Sequence, residues 1–400
     1  MKVLQINSVC NVGSTGRIVT DIADLLRKNG YESYVAYGCG KSNEPNSYLM
    51  ENKLYLKFNI LKTRLFGRHG FYNKRTTKKL IKWIDEVNPD IIHLHNLHGH
   101  YLNVEILFKY LKKLNKPVIW TLHDCWSFTG HCSYFDYIKC NRWIAGCYSC
   151  PQKHEYPNSW FFDRSKKNWE EKKRLFTSLN DLTIVTPSYW LANLVKESFL
   201  KKYEVDVIPN GIDLTKFKPI KSDFRNKYHI KGKIVLAVAF YWDIRKGFNY
   251  LPEIAKKLGE NYTIIVVGVN KNQKRNLPKN IIAISKTNDI QQLIELYSIA
   301  DVFINPTLED NFPTVNLEAL ACGTPVITFK TGGSIEAIDE NCGYIVNQGD
   351  IKTLISKIKE ICEKPKFEKI NKCVNKAKSY DKNRQLYKYI ELYKIKGNLE

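Results

Sequence analysis

The sequence alternates short apolar runs with segments of helical period from its first residues onward. In the first half these runs are rich in β-branched residues and end at turn residues; they are residues 2–7, 33–37, 90–95, 117–123 and 182–188. The pattern restarts in the second half, with runs at 233–239, 262–268, 280–285, 301–306 and 325–329. Apolar strands that alternate with helices predict parallel sheets covered by helices on both faces. We therefore expect an α/β protein with two doubly wound units.

The chain of 400 residues is long enough for two such domains. The segment 204–219 ends the first set of strands, so we expect an N-terminal domain over 1–212 and a C-terminal domain over 213–382. The tail 383–400 has helical spacing and is expected to return to the N-terminal domain. Ligands of such sheets bind beyond the carboxyl ends of the strands. The loops expected to carry the chemistry therefore follow residues 7, 95, 123, 239, 268 and 306.

Composition narrows the function classes. The chain has no run of 18 apolar residues, and Gln5, Asn7 and Ser8 interrupt its start, so we expect neither a membrane span nor a signal peptide and predict a cytoplasmic protein. The net charge of +22 favours an anionic partner, such as nucleic acid, lipid headgroups or a phosphorylated substrate. The alternative is that a Lys-rich composition reflects the genome alone.

The segment 305–327 has the most specific pattern. A strand end and a short polar loop with Asp310 precede a helix that is expected to begin near Phe312 and Pro313 and to end at Gly323. Free amides at a helix start can hold a phosphate. Glu318 lies inside this helix, where its carboxylate can accept hydrogen bonds from two ribose hydroxyls. The segment therefore predicts a nucleotide site.

These residues resemble the signature of the group 1, family 4 retaining glycosyltransferases. The family has the GT-B architecture, in which two Rossmann-like domains face each other across a cleft. The resemblance implies that Asp310 faces the donor sugar and Glu318 the ribose, with Phe312 and Thr314 at the donor site. The family usually has Glu where this chain has Asp310, and Glu309 is adjacent.

The resemblance extends to the rest of the chain. Residues 209–213 resemble the interdomain hinge, and Arg245 and Lys246 match the diphosphate-binding element that follows the first C-domain strand. Many relatives have an Arg where this chain has Phe240, and we expect Arg245 to replace it. Cations at this position would stabilise the departing nucleotide without a catalytic metal.

The N-terminal domain is expected to supply the catalytic and acceptor side. By resemblance, His123 lies at the donor sugar, and His93, His95 and Asn96 line the acceptor side. Metal binding by the histidines of this loop and packing in the core are the alternatives for it. The Gly-rich turn that precedes the first helix suits close approach of a diphosphate or acceptor; its glycines are Gly13 and Gly16.

Four of the 11 cysteines have a spacing compatible with structural zinc: Cys132, Cys140, Cys147 and Cys150. The alternatives are small buried thiols or a redox-labile loop. The zinc would brace an insertion near the acceptor.

Residues 52–84 contain ten Lys or Arg and no acid. Leu54, Phe58, Leu61 and Leu65 share one helical face, which is typical of a helix on an anionic membrane surface. The alternative is that this face packs on the sheet of the N-terminal domain and leaves a solvated basic side.

Together these patterns predict a retaining hexosyltransferase, cytoplasmic and peripheral to the membrane. It would use a UDP- or GDP-sugar and an acceptor glycan carried on a lipid, in bacterial surface-polysaccharide biosynthesis. A nucleotide-sugar epimerase of the same fold is one alternative, although no acid/base carboxylates are found for it. A basic nucleic-acid-binding protein is the other, although no RNA-binding motif or zinc-finger spacing supports it and we expect no nucleic-acid partner.

Overall fold

The computed structural model describes residues 1–50, 53–275, 277–365 and 367–397. The chain forms two compact units. Unit 1 comprises Met1–Ile208 together with the chain from Leu386 on, and unit 2 comprises Pro209–Gln385.

Unit 1 is built from seven strands and the helices between them. The strands are β1 (Lys2–Val9), β2 (Glu32–Cys39), β3 (Ser47–Leu49), β4 (Ile91–Leu94), β5 (Val118–Thr121), β6 (Leu182–Thr186) and β7 (Glu204–Val207). The helices are α1 (Gly13–Lys28), α2 (Lys53–Phe66), α3 (Lys74–Val87), α4 (Val104–Leu114), α5 (Ser165–Phe176) and α6 (Tyr189–Glu197).

The strands of unit 1 form one parallel sheet in the order β3-β2-β1-β4-β5-β6-β7. Every residue of β4, β5 and β6 is buried, which explains why these strands read as continuous apolar runs. The order reverses between β1 and β4, so the connections after these two strands run to opposite faces of the sheet, and this position at the carboxyl edge is where such sheets bind ligands. Residues 122–164, which connect β5 to α5, contain no regular helix or strand.

Unit 2 repeats this construction. Its strands are β8 (Lys233–Val238), β9 (Tyr262–Val267), β10 (Ile281–Ile284), β11 (Val302–Asn305), β12 (Val326–Phe329) and β13 (Gly343–Val346). Its helices are α7 (Phe224–Lys227), α8 (Tyr250–Leu258), α9 (Lys271–Arg275), α10 (Ile290–Ile299), α11 (Thr314–Ala321), α12 (Ile351–Glu363) and α13 (Phe367–Lys378). The parallel order is β10-β9-β8-β11-β12-β13, and it reverses between β8 and β11.

All ten strands expected from the sequence are present. Of the other three strands, β7 lies in the segment 204–219 that was expected to end the first sheet. β3 and β13 were not expected, because both are short edge strands and only partly buried, so neither has a continuous apolar run. The helix after β11 starts one residue beyond Pro313 and is followed by Cys322 and Gly323, close to the expected limits.

The final helix, α14 (Lys382–Lys396), begins in unit 2 and continues in unit 1. In unit 1 its Tyr389 and Tyr393 are buried against the sheet. Ile212 pairs with Asp381 in a short parallel bridge, so the Pro-Asn-Gly-Ile-Asp segment belongs to unit 2. The division falls after Ile208, four residues before the expected boundary.

No helix in the described ranges is long and apolar enough to cross a membrane.

Candidate active site

In unit 2, the loops that follow β8 and β11 meet where the strand order reverses. The Nζ of Lys246, on the first loop, lies 2.5 Å from Oδ2 of Asp310, on the second. The two side chains are 23% and 13% exposed. The structure therefore brings two of the expected site residues into a partly buried ion pair.

Arg245 lies beside this pair. Its guanidinium donates to the carbonyl of Glu309 at 3.3 Å and to the hydroxyl of Tyr241 at 3.3 Å. Asp243, 3.9 Å from Nε of Arg245, also accepts the backbone N–H of Lys246. The loop thus holds two cations close together.

Gly247 allows the two loops to approach. Its φ is +80°, and a Cβ on it would lie 2.0 Å from the carbonyl oxygen of Pro306. The backbone N–H of Leu308 donates to the carbonyl of Arg245 at 2.7 Å, which ties the loops together. The Lys-Gly pattern in the sequence therefore reflects a steric need for glycine.

The start of α11 is compatible with a phosphate site. Pro313 precedes the helix and supplies no side-chain cap for the amides of the first turn. Thr314, the first helical residue, is half-buried. Phe312, in contrast, has its ring in the core of unit 2, and its carbonyl accepts from Nδ2 of Asn210. The ring of Phe312 therefore has its contacts in the core, and a role of this residue at the donor stays a prediction.

Glu318 points into the body of unit 2 with 9% of its surface exposed. Its Oε2 accepts a hydrogen bond from the hydroxyl of Tyr297 at 2.9 Å. Burial and the adjacent carboxylate raise the pKa of Tyr297 well above its ordinary value, so the tyrosine stays protonated as the donor. Tyr297 was not predicted, because an isolated tyrosine in a helix has no sequence signature.

In unit 1, the loops after β1 and β4 also meet at the reversal of strand order. Gly13 begins α1 with φ +66°, and a Cβ on Gly16 would lie 3.1 Å from the backbone nitrogen of Asn11. The backbone N–H of Asn96 donates to Oδ1 of Asn7, which joins the two strand ends. The glycine turn and Asn96 therefore lie together at the carboxyl edge of the sheet, and their part in ligand binding stays a prediction.

His95 and His123 are neighbours at this edge. Their rings stack, and Nδ1 of His95 lies 3.2 Å from Nε2 of His123. Burial lowers the pKa of His123 to about 4, although Asp124 acts in the opposite direction. Burial likewise lowers the pKa of His95 well below its ordinary value. Both imidazoles are therefore neutral near pH 7 and act as hydrogen-bonding groups.

His93 lies in the core. Its side chain is fully buried, with Nδ1 2.6 Å from the hydroxyl of Tyr393 and Nε2 2.8 Å from Oγ1 of Thr121. Both ring nitrogens have protein partners, so the expectation that His93 lines the acceptor side is corrected to the core-packing alternative.

Sequence reasoning missed a histidine–aspartate pair near His123. Nε2 of His98 lies 2.7 Å from Oδ2 of Asp124, and Nδ1 lies 3.0 Å from the hydroxyl of Tyr156. Burial acts to raise the pKa of Asp124, but His98, the backbone N–H of Trp126 and His123 together lower it below its ordinary value. The only sequence signal was the adjacency of Asp124 to His123, which could not indicate His98 as its partner.

Four of the five cysteines of the irregular connection line one small cavity, together with Phe135 and Trp143; they are Cys132, Cys140, Cys147 and Cys150. The Cys132 and Cys150 thiols are hydrogen-bonded to each other, which raises the pKa of Cys132 well above its ordinary value. The Sγ of Cys147 accepts the backbone N–H of Gly130 at 3.1 Å. Across the described residues, however, no group of three or more His, Cys, Asp or Glu side chains is arranged to hold a metal ion.

Lys172 is buried beneath the same connection. Its Nζ donates to the carbonyls of Trp126 and Thr129 at 2.7 and 3.0 Å and lies 3.5 Å from the centre of the Trp126 ring. Burial lowers its pKa from 10.5 to about 7. This lysine thus braces the loop that follows β5, the loop with His123 and Asp124.

Comparison with protein families gives a match for each unit. The family model described as Glycosyltransferase Family 4 matches residues 15–216. The family model described as Glycosyl transferases group 1 matches residues 221–380.

Individual proteins are similar over much of the chain. The putative colanic acid biosynthesis glycosyl transferase WcaC of Escherichia coli K12 is 26% identical over 373 residues, 89% of each chain. An Escherichia coli UDP-Gal:alpha-D-GlcNAc-diphosphoundecaprenol alpha-1,3-galactosyltransferase is 28% identical over 221 residues, 48% of this chain and 56% of the relative. The crystal structure of Anabaena Alr3699/HepE in complex with UDP-glucose is similar with a TM-score of 0.68 at 15% identity, over 98% of this chain and 99% of that chain. Together with the two parallel sheets, this similarity confirms the expected GT-B fold.

We expect Gly247→Ala to destabilise unit 2 by about 2 kcal/mol more than Gly259→Ala, measured by chemical denaturation. Both glycines have positive φ, but a Cβ on Gly259 would meet nothing within 4 Å, so the pair isolates the clash with Pro306. Equal losses in the two variants would show that the loops do not need this close approach.

We expect wild type to gain stability relative to Lys172→Met as the pH rises from about 7 to about 9, by about 2 kcal/mol. Between the folded pKa of about 7 and the unfolded value of 10.5, the unfolded chain binds the extra proton. The penalty for burying the charge is therefore full below pH 7 and is relieved above it.

The measurement is the difference in the free energy of unfolding across pH, with Lys173→Met at the neighbouring exposed lysine as the control. A difference that stays flat or shrinks with rising pH would contradict the assignment.

Proposed function

Because this chain belongs to glycosyltransferase family 4, we propose that it is a retaining glycosyltransferase that transfers a sugar from a UDP- or GDP-sugar to a lipid-linked glycan. The observation that carries the proposal is the Lys246–Asp310 pair at the reversal of strand order in unit 2, next to the start of α11. A nucleotide diphosphate would find cations, helix amides and carboxylates in adjacent loops there.

Each part of the nucleotide-sugar donor has a proposed partner in the protein. Arg245 and Lys246, with the first amides of α11 near Thr314, hold the diphosphate and stabilise the charge that develops on it as it leaves. When the donor phosphate binds Lys246, Asp310 is released from this lysine. Its carboxylate then accepts a hydrogen bond from a hydroxyl of the donor sugar. Tyr297 orients the carboxylate of Glu318, which accepts hydrogen bonds from the ribose hydroxyls. Since two cations supply the positive charge, we expect catalysis to need no metal.

The proposed chemistry proceeds with retention of configuration. The residue set contains no carboxylate placed for a double displacement. We therefore propose front-face attack, in which the leaving phosphate takes the acceptor proton. His123, neutral near pH 7, would hydrogen-bond a sugar hydroxyl. An α-linked product from an α-linked donor, seen by NMR, is the expected outcome.

The acceptor proposal draws on the relatives. One acts, by its name, on a diphosphoundecaprenol-linked sugar, and another is named for colanic acid biosynthesis. We therefore propose a lipid-linked acceptor, with His95 and Asn96 on the acceptor side. The setting would be bacterial surface-polysaccharide assembly in the cytoplasm, with the segment 52–84 at an anionic membrane.

We expect UDP or GDP at about 100 times its Kd to stabilise the protein by about 2.7 kcal/mol, which raises the Tm by several degrees. An oligonucleotide of equal charge should give no comparable rise. If the oligonucleotide stabilises the protein and the nucleotides do not, the nucleic-acid-binding alternative is favoured and the transferase proposal fails.

Lys246→Ala should weaken nucleotide binding by about 10- to 100-fold, because it removes a charge-assisted contact. Lys256→Ala, an exposed lysine on α8, is the matched control and should bind as wild type does.

The structural zinc stays a prediction: Cys132, Cys140, Cys147 and Cys150 line one cavity, although the described side chains form no group of three or more that is arranged to hold a metal ion. We expect about one zinc per chain in protein purified under reducing conditions. Cys147→Ser/Cys150→Ser should abolish it, whereas Cys39→Ser, outside the cluster, should not. Wild type with far less than one zinc would contradict it and leave the thiols as a packed cluster.

A further inference from the structure

Helix α2 exposes several large apolar side chains and buries two uncharged polar ones. Leu54 is 76% exposed and Phe58 50% exposed, whereas Asn59 and Thr63 are buried. The amide of Asn59 hydrogen-bonds Asn73, and Oγ1 of Thr63 lies 3.1 Å from Nδ1 of His100. The alternative in which the apolar face packs on the sheet is therefore wrong, since unit 1 holds this helix by its polar face.

A second segment adjoins α2 and extends its apolar face. The backbone N–H of Trp160 donates to the carbonyl of Arg64 at 2.7 Å. The rings of Phe66 and Phe162 stack with centres 6.4 Å apart. Phe161, between these aromatics, is 66% exposed. Although 160–162 lie about a hundred residues downstream, the two segments form one surface.

We call this the aromatic surface. Its members are apolar side chains of unit 1 that are all at least 40% exposed: Leu54, Tyr55, Phe58, Leu61, Phe66, Trp160, Phe161 and Phe162. So many large apolar groups exposed on adjacent segments are unusual for a face that contacts only water.

Cations lie among these side chains. The Nζ of Lys62 is 4.4 Å from the centre of the Phe58 ring, and the guanidinium of Arg64 is 5.6 Å from that of Trp160. Arg68 follows them and pairs with Glu171.

The acid closest in sequence to the aromatic segment is Asp163, whose carboxylate accepts the backbone N–H groups of Cys150 and Ser165. No acid lies on α2 itself, so the aromatic surface carries a net positive charge.

We propose that the aromatic surface is a bilayer-binding site, in which α2 and residues 160–162 insert side by side among anionic lipid headgroups. Aromatic rings that reach the acyl boundary, with Lys and Arg extending to the phosphates, are the arrangement that an anionic bilayer binds. The absence of acids on α2 favours lipid over a basic or neutral protein partner. Its link to a lipid-borne acceptor rests on the proposed function, but vesicle binding does not.

The test is flotation of the full chain with vesicles of phosphatidylcholine alone or with roughly 30% phosphatidylglycerol. We expect binding to the anionic vesicles, weakened at least about tenfold by Phe161→Ser/Phe162→Ser. Phe367→Ser, at an equally exposed phenylalanine on α13 of unit 2 (71%), should not change it.

A second pair of variants tests the charge. Lys57→Glu/Lys62→Glu should weaken binding to the anionic vesicles about tenfold or more. Lys271→Glu/Lys274→Glu, exposed on α9, makes the same change in net charge and should have a much smaller effect.

Three outcomes would overturn the proposal. They are equal binding to both vesicle types, unchanged binding of the Phe161/Phe162 variant, and lipid-free self-association that this variant abolishes, which would identify a protein interface. Stabilisation by UDP or GDP is measured on the same variants. If wild type binds the anionic vesicles but neither UDP nor GDP, the proposed function is rejected and the bilayer-binding proposal is still supported.

Discussion

The reversal of strand order in each parallel sheet is the constraint on which the candidate site depends. Where neighbouring strands send their connections to opposite faces, the loops at their carboxyl ends border the edge at which such sheets bind ligands. In unit 2 this occurs between β8 and β11, the strands that precede Lys246 and Asp310. In unit 1 it occurs between β1 and β4, which precede the glycine turn and His95. The topology therefore selects which loops can carry chemistry, and the side chains there supply it.

Burial decides what the titratable groups at these edges can do. His95 and His123 are kept neutral by desolvation, so they serve as hydrogen-bonding groups and not as fixed charges. Lys246 forms an ion pair with Asp310, and an anion that replaces this carboxylate would take over the pair. Lys172 lies between these cases, because burial brings its pKa close to neutrality while backbone carbonyls hold its ammonium group.

Helix α2 shows that the period of apolar residues does not by itself identify the buried face of a helix. Its apolar and polar residues alternate with helical period, which normally identifies the apolar side as the buried one. Here Asn59 and Thr63 have buried partners in Asn73 and His100, so the polar side is satisfied inside unit 1 and the apolar side is left outside. The partners come from other elements, and no local pattern indicates them.

The sequence by itself determined the ten strands with apolar runs and the limits of α11, because each follows from local apolar runs or helix-end chemistry. It also indicated that Lys246 and Asp310 belong to one site, since both follow strands of the same parallel sheet. Only the tertiary structure decided that His93 is enclosed by Thr121 and Tyr393, that Tyr297 orients Glu318, and that Trp160 and Phe162 extend α2. These contacts join residues that are far apart in the chain. Because they form only when the chain folds and brings these surfaces together, the local sequence pattern does not predict them.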